Sequence, residues 1–326
     1  MSDVVCLGEL VVDFVSFVAG ESIATSECFK KAAGGAPANV AVGLARLGVS
    51  SSFMGKVGED GFGRFLAAVL ADAGVDIAPL CFTGEAHTML AFVSLRAGGE
   101  PEFLFYPSTC AGVQLARDDI DEAAIARAKV LHFGSISLIS ESSRSATLHA
   151  VALARRFGKW VSYDPNLRLS LWRDADAARA GLLLGLQHAD IVKISVEEVD
   201  FLTGIADPVR GGRALWHDNL ALMAVTSAAK GCHWLTVNAS HDVAGFPVTA
   251  VDTTGAGDAF MASLLAGLLA ASNIPPPPAA LDRICRFANA TGAIATTSRG
   301  AIPSLPSTDA VRAFIAARVP ADGLSD

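Results

Sequence analysis

The stretch Val251-Asp252-Thr253-Thr254-Gly255-Ala256-Gly257-Asp258-Ala259-Phe260 joins a polar, glycine-punctuated turn to an apolar run. Gly255 and Gly257 let the backbone turn sharply and approach a ligand with no Cβ in the way. Behind them Ala259, Phe260, Met261, Leu264, Leu265, Leu268 and Leu269 recur at helical spacing, so the N–H groups of Gly255, Ala256 and Gly257 are expected at a helix N-terminus. Such a terminus binds anions. Asp258 falls in the first helical turn, beside the place an anion would occupy. An anion hole with an adjacent base suits group transfer from a phosphate donor to a hydroxyl. A glycine-rich turn followed by a helix-favouring aspartate would show the same bare spacing.

Other polar residues fall where a parallel sheet collects its ligands, beyond the carboxyl ends of strands. Asp13, Asp164, Lys193 and Thr226 are placed there by the pattern. Gly34-Gly35-Ala36-Pro37-Ala38-Asn39 forms a second glycine turn, ahead of a helix expected from Val40 to Leu47 and stopped by Gly48. Asp164-Pro165-Asn166-Leu167-Arg168 gathers a carboxylate, an amide and a guanidinium in one loop. Arg168 could clamp a hydroxyl or a phosphate, while Asp164 and Asn166 also fit ordinary turn chemistry around proline. Ser195-Val196-Glu197-Glu198 reads as a capping box. The histidines show no ligand spacing, and no GxSxG, HExxH or Walker A sequence is present.

The elements that must position these groups alternate. Val4 to Phe14 reads as one buried first strand carrying Asp13 near its far end, followed by a polar stretch from Gly20 to Lys31. Ser51 to Val57 reads as a strand and Phe62 to Asp72 as a helix. Thr88 to Leu95 and Glu102 to Tyr106 flank Ala97-Gly98-Gly99-Glu100-Pro101 as a hairpin, an insertion of the kind that forms lids. From Val130 onward strands at Val130–Phe133, Trp160–Tyr163, Ile191–Ile194 and Leu220–Thr226 alternate with helices near Arg144–Phe157 and Ala175–Gln187. His233–Thr236 and Asp242–Val248 are expected to add an antiparallel edge, and helices near Leu281–Ala295 and Thr308–Ala317 to close the chain. The fold class is α/β, a mostly parallel sheet with helices on both faces. Residues 1–326 are expected to form one domain, with lid segments at about 13–35 and 86–112.

Composition narrows the function classes. At 52% hydrophobic and 18% charged, the 326 residues can bury a large core. A net charge of −8 with no lysine or arginine cluster excludes a nucleic-acid backbone as partner. Cys6, Cys28, Cys81, Cys110, Cys232 and Cys285 are scattered, with no CxxC pair, so neither a zinc site nor a disulfide scaffold is expected. Neither a secretion signal nor a stretch able to span a bilayer is visible, which points to the cytoplasm and away from a membrane partner.

The two glycine turns, in this order, resemble the two signatures of the ribokinase-like PfkB carbohydrate kinase family. Within it the chain is most similar to the fructokinases. Gly8-Glu9-Leu10-Val11-Val12-Asp13-Phe14, Gly55-Lys56-Val57-Gly58-Glu59-Asp60, His132 to Leu138, Ser162 to Arg168, and Phe287-Ala288-Asn289-Ala290 through Arg299-Gly300-Ala301-Ile302-Pro303 all fit. The resemblance implies an ATP-dependent kinase acting on a sugar hydroxyl, with D-fructose the expected substrate. The alternatives are another small sugar, a sugar acid or a nucleoside, or a non-catalytic binding protein of the same shape. It implies Asp258 as base and Gly255, Ala256 and Gly257 as anion hole. Asp13, Gly34, Gly35, Asn39 and Arg168 would bind the sugar. Lys193, Ser195, Thr226, Gly231 and Asn289 would border the nucleotide, and Glu198 would organise Mg²⁺ through water. Potassium held by backbone carbonyls and a homodimer through the lid are further implications. The chain departs from the pattern at Pro107 and Gly112, where fructokinases carry an arginine and an aspartate. It departs again at Ser195, often asparagine, and at Ala228, which replaces the first glycine of Thr-x-Gly-x-x-Gly.

Overall fold

The computed structural model describes residues 2–18, 20–95, 101–106 and 110–318. The hairpin turn expected around Ala97 to Glu100, and Pro107, lie outside them. Among the described residues thirteen strands are β1 (Val4–Leu7), β2 (Val11–Ser16), β3 (Phe29–Gly34), β4 (Ser51–Gly58), β5 (Leu80–Thr83), β6 (Met89–Leu95), β7 (Pro101–Tyr106), β8 (Val130–Gly134), β9 (Trp160–Asp164), β10 (Ile191–Ser195), β11 (Leu222–Thr226), β12 (Gly231–Leu235) and β13 (Ser240–Ala244). Nine form one sheet in the order β13-β12-β11-β10-β9-β8-β1-β4-β5. It is parallel from β11 to β5, and β12 and β13 run antiparallel at the edge as the sequence suggests. Helices cover both faces. Ala36–Arg46, Ala256–Ala270 and Pro278–Ala295 bury one apolar layer, and Glu141–Arg156 and Ala175–Gln187 bury the other.

The chain leaves β1 first toward β4 and later returns to its other side as β8, so the strand order reverses at β1. Ligand crevices open beyond the carboxyl ends at such a reversal. A second, four-stranded sheet in the order β3-β2-β6-β7 is built from the two excursions after β1 and β5. Its β6–β7 pair is antiparallel, as expected for a hairpin. Among the described residues no helix is long and apolar enough to cross a membrane.

Three expectations are corrected. Val4 to Phe14 is not one strand: β1 stops at Leu7, and Asp13 lies within β2 of the small sheet. Gly8 causes the break, because its φ is +153° and a Cβ there would lie 2.6 Å from Pro37 Cγ. Second, the helix expected from Val40 begins at Ala36, so Pro37 and Asn39 belong to its first turn. Proline fits there because its fixed φ is already helical and its missing N–H has no helical partner in any case. Third, Lys193 is the middle residue of β10 rather than a strand end; Asp164 and Thr226 do end β9 and β11.

Candidate active site

The Ala256–Ala270 helix starts where the apolar repeat predicts, with Gly255 as its N-cap at a φ of +82°. A Cβ on Gly255 would stand 2.7 Å from Ala301 Cβ, so both backbone conformation and packing require glycine. Asp252 holds the turn from below. Its carboxylate accepts the Thr254 N–H at 2.9 Å and the Gly300 N–H at 2.8 Å, tying the turn to the chain segment that packs on it. The sequence places Asp252 in the motif but shows no task for it, since its partner Gly300 is remote in sequence.

Asp258 occupies the third helical position and is 7% exposed. Its Oδ2 accepts the Asn39 Nδ2–H at 2.7 Å. This meeting follows from helix packing. Gly43 and Ala262 each lie one turn beyond Asn39 and Asp258, and a Cβ on Gly43 would come within 2.7 Å of Ala262 Cβ. Glycine there lets the two helices approach closely enough for the amide and carboxylate to meet. Burial raises the Asp258 pKa, against the pull of the Asn39 hydrogen bond and the Lys193 and Arg168 cations.

Around Asp258 the expected residues divide between two cavities. The smaller, about 50 Å³, is lined by Asp13, Gly35, Asn39, Arg168, Gly255 and Asp258, with Glu9, Val11 and Phe105 among its other walls. Gly34 stands behind it: a Cβ there would be 2.2 Å from Asp13 Oδ2. The larger, about 290 Å³, is mostly apolar and includes Thr226, Gly231, Ala256, Gly257 and Asn289. Asn289 donates to the Val243 and Ala244 carbonyls at 2.9 and 3.2 Å, pinning the edge strand to the Pro278–Ala295 helix. A third opening, lined by Asn166, Arg168, Thr253, Thr254, Gly255, Gly257 and Asp258, shares residues with both and connects them. Two cavities thus meet at a helix N-terminus beside a buried carboxylate. A hydroxyl on one side and a phosphate chain on the other would come together there.

Lys193 and Ser195 do not line the larger cavity. Lys193 lies beneath the turn, where a Cβ on Gly257 would be 2.7 Å from its Nζ, and it forms a buried ion pair with Asp164 at 3.0 Å. Burial would lower its pKa, but the Asp164, Glu198 and Asp258 carboxylates outweigh that and hold it raised and cationic. Ser195 caps the Val196–Thr203 helix, accepting the Glu198 N–H at 3.2 Å while the Glu198 carboxylate takes the Ser195 N–H at 2.8 Å. The other Glu198 oxygen accepts the Leu167 N–H at 2.7 Å, beside Arg168. No group of three or more His, Cys, Asp or Glu that could hold a metal ion is found among the described residues. Mg²⁺ keeps several waters and relies on substrate phosphates. Glu198 would serve it through water, using lone pairs left after its backbone bonds.

The sequence does not mark Glu9 as a site residue, for it falls in the middle of the expected first strand and nothing local marks its carboxyl as buried. One oxygen accepts the Ala36 N–H at 2.9 Å, capping the helix that Gly35 cannot cap with a side chain. The other has no hydrogen-bond partner. Burial pushes Glu9 up to about 7 despite its backbone N–H bonds. Burial also raises Asp13 to about 7, opposed by Arg168 and reinforced by Asp252 and Asp258. Both folded-state values exceed the unfolded ones, so between about pH 4 and about pH 7 the native state binds more protons. Stability in the absence of ligand should therefore fall as pH rises through that window, by several kcal/mol. Urea unfolding at a series of pH values checks this, and Asp13→Asn should flatten the slope; an unchanged slope would contradict the assignment.

Ala228 has a φ of +48°, in the left-handed region where glycine is at ease. Ala228→Gly should release about 1–2 kcal/mol of strain and lose about 0.4–1 kcal/mol to unfolded-state entropy. A net gain of about 0.5–1 kcal/mol in chemical unfolding is expected. Lower stability in the glycine variant would show that no strain is stored there. Gly112 is described too, and a Cβ on it would meet, among the described residues, only the Lys56 carbonyl oxygen, at 3.8 Å.

Residues 1–308 match the profile described as pfkB family carbohydrate kinase. The chain is 48% identical over 312 residues to probable fructokinase-7 of Arabidopsis thaliana, spanning 95% of this chain and 91% of the relative. It is 47% identical to fructokinase-2 of Oryza sativa subsp. japonica, spanning 93% and 90% of the two chains. Among solved structures it is similar to the fructokinase of Xylella fastidiosa with bound ATP, with a TM-score of 0.88, 33% identity and coverage of 98% and 99%. The fructokinase of Vibrio cholerae O395 with fructose, ADP and calcium ion bound gives a TM-score of 0.85, 37% identity and coverage of 96% and 99%.

Proposed function

The chain belongs to the pfkB family of carbohydrate kinases, and on that premise we propose that it transfers the γ-phosphoryl group of ATP to D-fructose, giving fructose 6-phosphate and ADP. The observation that carries the reading is the junction of the two cavities at Gly255, Gly257 and Asp258. Asp13, Asn39 and Arg168, backed by Gly34 and Gly35, would hold the sugar. Thr226, Gly231 and Asn289 would border the nucleotide. Asp258 takes the proton from the 6-hydroxyl as its oxygen bonds to the γ-phosphorus, and the bond from that phosphorus to the β,γ-bridging oxygen breaks to release ADP. The N–H groups of the Gly255–Gly257 turn, with Lys193 beneath them, face the charge that spreads over the phosphoryl oxygens. Mg²⁺ supplies further charge neutralisation on the phosphates. Its presence with ATP in a putative ribokinase II structure from E. coli, 28% identical with a TM-score of 0.87, supports the same pairing here. A fructokinase double mutant from Vibrio cholerae O395 contains potassium ion, which supports potassium as an additional ion.

The small sheet serves as a lid within one domain, since Val11, Asp13 and Phe105 carry it into the sugar cavity. Its other face is apolar. Phe14 stacks on Phe92 at 5.3 Å, Phe92 meets Tyr106 edge-on, and Leu104 and Tyr106 are 44% and 58% exposed. That face supports a homodimer through the lid, which sedimentation at graded concentrations checks. All six cysteines are free, which supports a reducing compartment such as the cytoplasm.

The test of function is turnover of a sugar panel with Mg-ATP, comparing D-fructose with other hexoses, pentoses, sugar acids and nucleosides. The highest kcat/KM is expected for D-fructose. Turnover confined to another substrate would remove fructose and leave the reaction type, whereas no turnover on any of them would favour a binding protein.

A further inference from the structure

The Gly55 to Asp60 motif takes no part in the site described above, yet its last residue gathers an unusual number of bonds. Asp60 Oδ1 accepts the Phe62 and Gly63 N–H groups at 2.9 and 2.8 Å, and the Thr88 hydroxyl at 2.9 Å. Oδ2 accepts the Thr88 N–H at 2.9 Å. The Thr88 hydroxyl in turn accepts the Gly58 N–H at 3.1 Å. One carboxylate therefore joins the end of β4, the start of the Gly61–Asp72 helix and the residue from which β6 departs. An N-cap needs only the first two of these bonds.

The packing leaves little freedom around this node. A Cβ on Gly58 would meet Asp60 Oδ2 at 2.5 Å, and one on Gly63 would meet the Gly58 carbonyl oxygen at 2.1 Å. The far end of the same excursion is fastened nearby, where the Ala111 N–H donates to the His87 carbonyl at 2.8 Å. Both roots of the β6–β7 pair are thus fixed within one residue of Thr88. Phe105, on β7, reaches the sugar cavity, and β6 pairs with β2 so that Ala91 stands opposite Asp13.

We propose that Asp60, acting through Thr88, is a positioning residue that sets the angle at which the small sheet covers the sugar cavity. It touches neither substrate; its effect passes through β6 to Asp13 on β2 and through β7 to Phe105. Among the described residues, none of the small sheet lines the larger cavity. Loss of the node therefore loosens sugar binding and leaves the nucleotide side intact. A loosened cover also admits water to the phosphoryl group, so some ATP is hydrolysed instead of transferred. This inference rests on the sugar-kinase reading.

Thr88→Val removes the hydroxyl at nearly constant volume, Thr88→Ser keeps it, and Asp60→Asn turns an acceptor facing the Thr88 N–H into a donor. Steady-state kinetics with D-fructose and Mg-ATP should show KM for the sugar raised about tenfold in Thr88→Val and Asp60→Asn, with KM for ATP within about twofold. ADP formed should exceed phosphosugar formed in those two variants and match it in Thr88→Ser. Hydrogen exchange of the β6 segment should quicken in Thr88→Val while that of the Ala256–Ala270 helix does not. An unchanged sugar KM in folded Thr88→Val, or equal rises in both KM values, would overturn the proposal. Wild-type protein that turns over no sugar would instead refute the kinase reading, a separate outcome read from the same assay.

Discussion

Asp258→Asn should lower kcat by about 10³-fold while KM for sugar and for ATP stays within about threefold. The asparagine keeps the volume, and its carbonyl oxygen can still accept the Asn39 Nδ2–H that Asp258 Oδ2 accepts at 2.7 Å. What disappears is the ability to take a proton. The wild-type pH profile carries the same signature. Because burial raises the Asp258 pKa and the base must be ionised, activity should fall on acidification from a pH above the ordinary carboxylate range. In Asp258→Asn the residual rate should lose that acid limb. Steady-state kinetics across pH check both statements, and an undiminished kcat would remove Asp258 from the chemistry.

Lys193→Met should be the most destabilising of the substitutions considered, by about 3–5 kcal/mol at mildly alkaline pH, where Asp164 is ionised. Lys193 and Asp164 are both buried, and removing the cation leaves the carboxylate without its partner. Lys193 has a raised pKa, so its contribution is complete below the unfolded value of 10.5 and is lost only as pH climbs through the folded one. Lys193 therefore stays cationic across neutral pH, and the deficit varies with pH through Asp164, reaching its full size only above about pH 7. It should shrink toward acid, because burial already raises Asp164 to about 7 with Lys193 in place, and a protonated Asp164 no longer needs the cation. Activity should respond as well. Lys193 is one of the cations lowering the Asp258 pKa, so in the methionine variant the acid limb of kcat/KM should move to higher pH. Denaturant titrations and pH-rate profiles read the two effects separately. A variant as stable as wild type at mildly alkaline pH, where Asp164 is ionised, would contradict the buried-pair account.

These two residues differ in how far the sequence revealed them. Asp258 was legible because its setting is local: two glycines, an aspartate and an apolar repeat define a helix N-terminus within a few residues. Lys193 was placed by resemblance beside the nucleotide, and only the strand register sets it in mid-strand beneath Gly257. Alternation also merged β1 with β2, since a buried β-branched run looks the same whether it stays in one sheet or turns into another at Gly8. Pro37 hid the true helix start, because proline reads equally as a turn residue and as a first-turn residue. Glu9, Asp252 and Asp60 share a different obstacle. Each bonds to backbone groups tens of residues away, at Ala36, Gly300 and Thr88, and no spacing rule reports such contacts.

The central claim is that phosphoryl transfer occurs at the junction of the two cavities, onto a sugar hydroxyl activated by Asp258. Its most direct test is product identification by ³¹P and ¹³C NMR after incubation with Mg-ATP and D-fructose. The account predicts fructose 6-phosphate and ADP formed in equal amounts by the wild-type protein, with neither accumulating appreciably with Asp258→Asn. A phosphate on another hydroxyl, or ADP formed without phosphosugar, would contradict it.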